Sequence, residues 1–332
     1  MLPPRASRRF AAEVRREKRA ALASVRRSWS RMTDDFDAAW EGAVGPAVLA
    51  ATVQAQDAVA DMARLYVPEV LAETGQVVRD ASWAPVPGAW GGTAGDGRAV
   101  QSLAYGAVAR AKAAVGSGVA VPAALRGGGQ WLTRTLGTVI DDTARSAERL
   151  ESRARHKPMY VRMLTPPSCG RCIILAGRTY HTAFERHPGC DCVSIPASES
   201  VAGDLLTDPR AHLDSLDDDA LAKALGSRAN AKAYREFDGD PYQLVNAYRA
   251  RWTRGGYAGS VHKAQVYGRN VRYTTEGVTR RGWAGQSMRG AGYAQDTRGR
   301  LRAPRLMPDS IFDIAENRAD AERLLKLSGW VL

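Results

Sequence analysis

Apolar positions in the first eighty residues recur at helical spacing. Phe10, Val14, Ala21, Val25, Trp29, Met32, Phe36 and Trp40 follow at steps of three, four or seven, which places them on one helix face and the arginines on the other. Gly45-Pro46 is expected to break the pattern. A second helix sets Val48, Thr52, Ala55, Val59, Met62 and Tyr66 along one seam, as in helical hairpins or coiled coils, and Pro68 should kink or end it. Residues 83–97, WAPVPGAWGGTAGDG, lack any period and read as a linker. Val100, Leu103, Ala104, Ala107, Val108, Ala111 and Val115 form a further stripe. Gly127-Gly128-Gly129 separates it from a helix marked by Leu132, Leu136, Val139, Ile140, Thr143, Ala147 and Leu150. Asp141 and Asp142 fall on the polar side of that helix. Adjacent helical side chains diverge by about 100°, so the two read as a solvated face rather than a catalytic carboxylate pair.

The pattern changes near residue 158. Tyr160–Leu164 reads as a strand, Thr165-Pro166-Pro167 as a turn, and Ile173–Gly177 and Val193–Pro196 as short extended or turn-bounded pieces. At the far end, Pro308-Asp309-Ser310 opens a helix with Ile311, Ile314, Ala315, Ala321, Leu324 and Leu325 on one face, stopped by Gly329. The expected class is mainly α with a small α+β cysteine-knuckle domain, long N-terminal helices and a basic, partly irregular C-terminal region. The expected boundaries are a long-helix region at 1–82, the linker at 83–97, the knuckle domain at 98–200, an acidic helical connector at 201–248 and a basic Arg/Gly/aromatic region at 249–332 that ends in the amphipathic helix.

Composition narrows the function classes. At 332 residues and 45% hydrophobic content the chain can bury a core and is not wholly disordered. Its apolar runs are too short for a membrane span, and no apolar core of signal-peptide length follows Met1. Folding in a reducing cytoplasm is therefore expected. The net charge of +12 is uneven. Residues 1–31 carry ten Lys/Arg against Glu13 and Glu17, a net of +8, and residues 249–305 carry thirteen against Glu276 and Asp296, a net of +11. The remainder is net acidic, with a knot at Asp214, Asp217, Asp218 and Asp219. Two basic segments on an acidic body suit a polyanionic neighbour, nucleic acid above all, or else a solvated arginine-rich surface.

All four cysteines fall within 24 positions: Cys169-Gly170-Arg171-Cys172, then His187-Pro188-Gly189-Cys190-Asp191-Cys192, with seventeen residues between Cys172 and Cys190. A Cys-x-x-Cys turn directs two sulfurs at one point, and Gly170 inside it is expected to relax the backbone. Cys190 and Cys192, two apart, share a face on a strand. Cys169, Cys172, His187, Cys190 and Cys192 thus offer five candidate ligands for the four positions of a structural zinc. A thioredoxin-like pair leaves the Cys-x-Cys partner unexplained, and a zinc deaminase lacks its His-x-Glu. Four buried, metal-free thiols remain the alternative, as do disulfides once the protein leaves the cytoplasm. No nearby Glu or His is plainly reserved as a general base, which argues against a catalytic metal.

These residues resemble a known pattern. Cys169–Tyr180, followed by Phe184-Glu185-Arg186-His187-Pro188-Gly189-Cys190-Asp191-Cys192, is similar to the Mu F-like (MuF) minor head proteins of tailed phages, in particular the versions of actinobacterial phages and prophages. The shared elements are a Cys-x-x-Cys, a Gly a few residues on, and His-Pro-x-Cys-x-Cys running into a Pro-ended strand. The resemblance is specific over about residues 158–197, extends in layout from about 98, and elsewhere rests on the helical first half and basic tail. It implies a non-enzymatic minor capsid protein acting in head morphogenesis, assembled in the host cytoplasm and residing in the virion head. The implied partners are the portal and/or major capsid protein, with packaged DNA as a further neighbour and no membrane. Some relatives are fused to a maturation protease or a toxin-like enzyme domain; no Gly-x-Ser-x-Gly elbow occurs here. The enzyme-class rival is a zinc-dependent hydrolase or nuclease using His181 or His187.

The basic C-terminal segment interleaves arginines with aromatics and glycines. Arg251, Arg254, Arg272, Arg280, Arg281 and Arg289 are the candidate nucleic-acid contacts, with Trp252, Tyr257, Tyr273, Trp283 and Tyr293 available to stack on bases. The competing reading is a small twisted sheet with aromatics inside and arginines outside, supported by a hairpin-like run at Tyr273–Thr279.

Overall fold

The structure, a computed structural model, describes residues 3–84, 88–157, 159–181, 190, 192–249, 251–253, 256–266, 268–293, 301 and 303–331, the side chains of 251–253, 256–258 and 266 excepted. The protein is mainly helical, with small antiparallel sheets and a cluster of cysteines. It divides into two compact units, Met1–Thr165 with Arg178–Thr207, and Pro166–Gly177 with Asp208–Leu332. No described helix is long and apolar enough to cross a membrane.

In the first unit, α1 (Arg5–Trp29) buries Phe10, Val14, Ala21, Val25 and Trp29, the stripe that the sequence marks. Pro4 offers no side-chain cap. The Glu73 carboxylate does so instead, accepting the N–H groups of Arg5 at 2.6 Å and Ala6 at 2.8 Å, where a negative charge meets the positive end of the helix. Next, α2 (Phe36–Ala39) passes through one π-helical turn (Trp40–Val44) straight into α3 (Gly45–Glu73). Gly45-Pro46 therefore opens a helix rather than breaking one, since a first-turn proline has no N–H to supply. Pro68 does not end α3, which runs one turn further. Tyr66, Val67, Val70 and Leu71 are all buried around it, and that packing outweighs the missing hydrogen bond. Tyr66 stacks on Phe10 with ring centroids 4.4 Å apart, tying α3 to α1.

Residues 88–99 are docked rather than free. The buried Gln56 donates to the Thr93 carbonyl (2.9 Å) and to Thr143 Oγ1 (3.0 Å), while its own oxygen accepts the Gly92 N–H (2.9 Å). They lead into α4 (Val100–Gly116) and α5 (Val121–Ala154). The three glycines at 127–129 lie inside α5, not between helices. For Gly128 and Gly129 the reason is the Trp29 ring: a Cβ there would stand 2.9 and 2.7 Å from it, and the indole N–H donates to the Leu125 carbonyl at 2.9 Å; a Cβ on Gly127 would meet nothing. Glycine weakens a helix by about 1 kcal/mol relative to alanine, and here the seated indole offsets that cost.

The chain continues through β1 (Met159–Met163), α6 (Gly170–Leu175, part of the second unit), β2 (Thr179–Tyr180), β3 (Val193–Ala197) and α7 (Glu199–Leu205). The sheet order is β2-β1-β3, antiparallel, with Val161 opposite Ile195 and Arg162 opposite Ser194. All residues of β1 and β3 are buried. Pro196 is tolerated because β3 is an edge strand, and Gln76 covers that edge by donating to the Pro196 carbonyl (3.1 Å) and accepting the Ser198 N–H (2.8 Å).

In the second unit, α6 corrects the expected extended reading of Ile173–Gly177: Cys169 Sγ accepts the Cys172 N–H at 3.4 Å and starts a helical turn. Gly170 has a negative φ, so its role is clearance rather than backbone freedom. A Cβ there would meet the Ala224 carbonyl oxygen at 2.0 Å. Four short helices follow, α8 (Pro209–Asp214), α9 (Asp218–Leu225), α10 (Arg228–Phe237) and α11 (Pro241–Asn246), capped by Asp208, Asp217, Ser227 and Asp240. Then come the hairpin β4 (Arg251–Thr253)/β5 (Gly256–Ala258) and the strands β6 (Val261–Val266) and β7 (Arg269–Thr274). The hairpin thus precedes Thr275–Thr279 instead of using it. After α12 (Trp283–Gly290), β8 (Arg305–Leu306) completes the β6-β7-β8 sheet. The closing helix is two helices, α13 (Pro308–Ile314) and α14 (Arg318–Leu327), because Asn317 caps the second through the Asp320 N–H at 3.0 Å.

Arg305 forms the centre of this unit. Almost fully buried, it lies 3.7 Å over the Trp330 ring. It donates to the carbonyls of Ser328 (2.8 Å), Glu276 (3.0 Å) and Gly329 (3.0 Å) and to Gln243 (3.1 Å). Burial pushes its pKa down to about 9, which leaves it charged at neutral pH.

Candidate metal centre

Cys172, Cys190 and Cys192 are buried, and their Sγ atoms all lie within 4.8 Å of one another. Three sulfurs at that spacing are close enough to hold one metal ion, since metal–thiolate bonds of about 2.3 Å place the sulfurs of a tetrahedral site about 4 Å apart. A soft donor set of this kind suits zinc, copper(I) or iron. Cys169 is exposed and stands outside this group, its sulfur serving as the cap of α6. His187, the fifth candidate ligand, lies outside the described residues. His181 is exposed.

The Cys190/Cys192 segment is held by groups that the sequence reading passed over. Arg145 of α5 donates to the carbonyl of Cys190 at 2.7 Å and to that of Cys192 at 3.4 Å, and its other nitrogen meets Asp142 Oδ1 at 2.6 Å. Asp142 orients the guanidinium, and the guanidinium holds the backbone carbonyls of the two residues that carry two of the sulfurs. Asp141 binds Lys18 of α1 at 2.8 Å. Both aspartates are buried, which corrects their reading as a solvated face. The divergence of about 100° was the right geometry, but each side chain finds a cation, the half-buried Lys18 or the buried Arg145. Arg162 on β1 is fully buried, points a nitrogen at Cys190 Sγ (3.8 Å) and stands 5.8 Å over the Tyr180 ring. Its sequence signal is a charge inside an otherwise apolar strand, Tyr160–Leu164, both faces of which are buried.

Glu148, two turns along α5 from Asp141, is also buried, and burial pushes its pKa up to about 8. Ser152 Oγ donates to it at 3.1 Å. Such a carboxyl is protonated at neutral pH, yet at 1% exposure it meets no solvent-borne substrate.

The candidate nucleic-acid arginines are differently placed. Arg272, half-buried, pairs with Asp309 at 3.4 Å. Arg289 donates to the carbonyls of Thr279 (3.3 Å) and Arg280 (2.6 Å). Arg280 and Arg281 are exposed, as is Trp283. Arg251 lies on β4, and its side chain, like Arg254 as a whole, falls outside the description.

These features define a mainly α protein with a small α+β part and a buried three-cysteine cluster. No protein-family profile, curated protein or solved structure matches the chain.

Proposed function

We propose that the chain is a non-enzymatic minor head protein of a tailed phage, resident in the capsid near the portal and in contact with packaged DNA. The observation that carries this reading is the cysteine motif of residues 169–192, whose order of Cys-x-x-Cys, His-Pro and Cys-x-Cys is that of the MuF-like head proteins. The test is mass spectrometry of purified particles from a strain carrying the gene, with a deletion alongside. The protein is expected in heads at low copy, and its loss should reduce the yield of filled heads. Absence from particles would refute the reading.

The cysteines in this reading hold a structural zinc. Cys172, Cys190 and Cys192 supply three thiolates, and Cys169 or His187 supplies the fourth position. The buried Arg162 guanidinium beside Cys190 supports this, because three thiolates around a divalent ion leave one negative charge for it to balance. Bound zinc would lock the knuckle and supply no chemistry. Purified protein should carry about one zinc per chain. Cys190→Ala should lose it together with thermal stability, and comparing Cys169→Ala with His187→Ala identifies the fourth ligand. Metal-free wild type would leave the thiols as apolar packing.

A further inference from the structure

The eight arginines of α1, from Arg5 to Arg27, share one face. At 100° per residue they fall within an arc of about 120°, opposite the buried stripe of Phe10, Val14 and Val25, and the row extends for about 33 Å. All but the half-buried Arg15 are exposed. Arg9 pairs with Glu69 and Glu13, and Arg27 donates to Ser24 Oγ. Arg8, Arg16, Arg19 and Arg26 have no carboxylate within ion-pair distance among the described residues. Like charges stacked on successive turns repel one another, so this face fits a partner with regularly repeated negative charge.

The chemistry of the face selects that partner. Protein hot spots need aromatic or aliphatic anchors, and among the described residues no exposed large hydrophobic belongs to α1. A membrane-surface helix sinks its apolar face into lipid, whereas that of α1 is already committed to the core of its unit. Arginine in place of lysine at eight of nine basic positions favours planar, bidentate contacts to phosphate. The row is about as long as one turn of B-form DNA. We infer that the arginine face of α1 is a sequence-tolerant binding surface for the phosphates of double-stranded DNA. This deepens the DNA-contact part of the proposed function and moves its main surface from the C-terminal segment, where Arg272 and Arg289 already have partners in the protein.

The experiment is fluorescence anisotropy of the full chain with a labelled duplex of scrambled sequence, across a salt series. Log affinity should fall linearly with log salt, by about 0.9 per phosphate contact. Replacing Arg8, Arg16, Arg19 and Arg26 with Gln should flatten that slope by about 3.6 and weaken binding at least tenfold at low salt. The charge-matched control replaces Arg64, Arg98, Arg228 and Arg323, exposed arginines already paired with carboxylates, and should keep the wild-type slope. The double variants Arg8/Arg16 and Arg19/Arg26 stand in if the quadruple fails to fold, each expected to show about half the change. An α1 variant that binds like wild type, equal losses in control and α1 variant, or wild type that binds poly-glutamate but no duplex would each overturn the inference. The first of these leaves the C-terminal DNA reading standing, and none of them bears on whether the protein is found in particles.

Discussion

The two long helices α1 and α5 belong to the same unit, carry many charges and dispose of them in opposite ways. On α1 the arginines face outward, and most have no carboxylate within ion-pair distance among the described residues. On α5 the charged residues Asp141, Asp142, Arg145, Glu148 and Glu151 are all nearly inaccessible. The periodicity of either helix separates an apolar from a polar face, and both predictions of which residues share a face were sound. What differs is the environment of the polar face. In α5 that face is covered by α1 and by the β3 segment, so its charges had to find partners: Lys18 for Asp141, Arg145 for Asp142, and backbone carbonyls for Arg145. Arg305 teaches the same lesson in the other unit, where an arginine from a stretch that reads as a basic surface is instead almost fully buried. A charge on a sequence diagram is a surface charge only if nothing packs over it.

The largest effect should come from breaking that buried arrangement. Arg145→Met strips Asp142 of its cation and leaves the carbonyls of Cys190 and Cys192 without their donor. Removing one partner of a buried pair costs about 3–5 kcal/mol, readable as a drop in the urea midpoint. Asp142→Leu combined with Arg145→Met should recover part of the loss, because the buried carboxylate that faced the guanidinium is removed with it. A single variant as stable as wild type would show that the pair contributes nothing to holding Cys190 and Cys192.

Much of the fold was legible because long helices announce themselves by their stripes. The buried faces of α1, α3 and α4 agree with the sequence reading nearly residue for residue, and β1 and β3 fall where their apolar runs lie. The failures cluster at glycine and proline. Gly45-Pro46, Pro68 and Gly127–Gly129 read as interruptions because local propensity disfavours a helix there, yet a helix start, a packed last turn and the Trp29 ring override that preference. At the candidate site, the clustering of the cysteines was visible and the convergence of Cys172, Cys190 and Cys192 followed it. Arg145 was not, since its contact to Cys190 spans 45 residues and only tertiary structure brings a helix side chain to those carbonyls.

Glu148 gives the comparison a pH axis. Its folded pKa of about 8 lies above its ordinary value of 4.5, so the folded state holds a proton that the unfolded chain has already released. The stability this contributes is fully present below about pH 4.5 and is lost as pH rises through about 8. Glu148→Gln, which keeps the shape and carries no proton to lose, should remove that dependence. The stability of wild type relative to this variant should fall by about 3 kcal/mol between pH 5 and pH 8, measured by urea unfolding at each pH. A flat difference would mean that Glu148 is ionised and solvated in the folded protein, and that α5 is more open than its packing indicates.

The smallest effect belongs to α1, and its smallness is the informative part. Arg16 and Arg19 are exposed and have no carboxylate within ion-pair distance among the described residues, so changing both to Gln removes neither packing nor a salt bridge. Surface substitutions of this kind shift stability by about 0.5 kcal/mol or less, and relief of repulsion along the row should make the sign stabilising. The same change would be severe at the buried Arg145 of α5. If the double variant instead lost several kcal/mol in urea unfolding, the arginine row would be part of what holds the unit together, and any weakening of DNA binding by such variants would have to be read as a loss of fold. A neutral or slightly positive result leaves Arg16 and Arg19 with no structural task, which is the condition under which exposed arginines without an ion-pair partner are explained by what they bind.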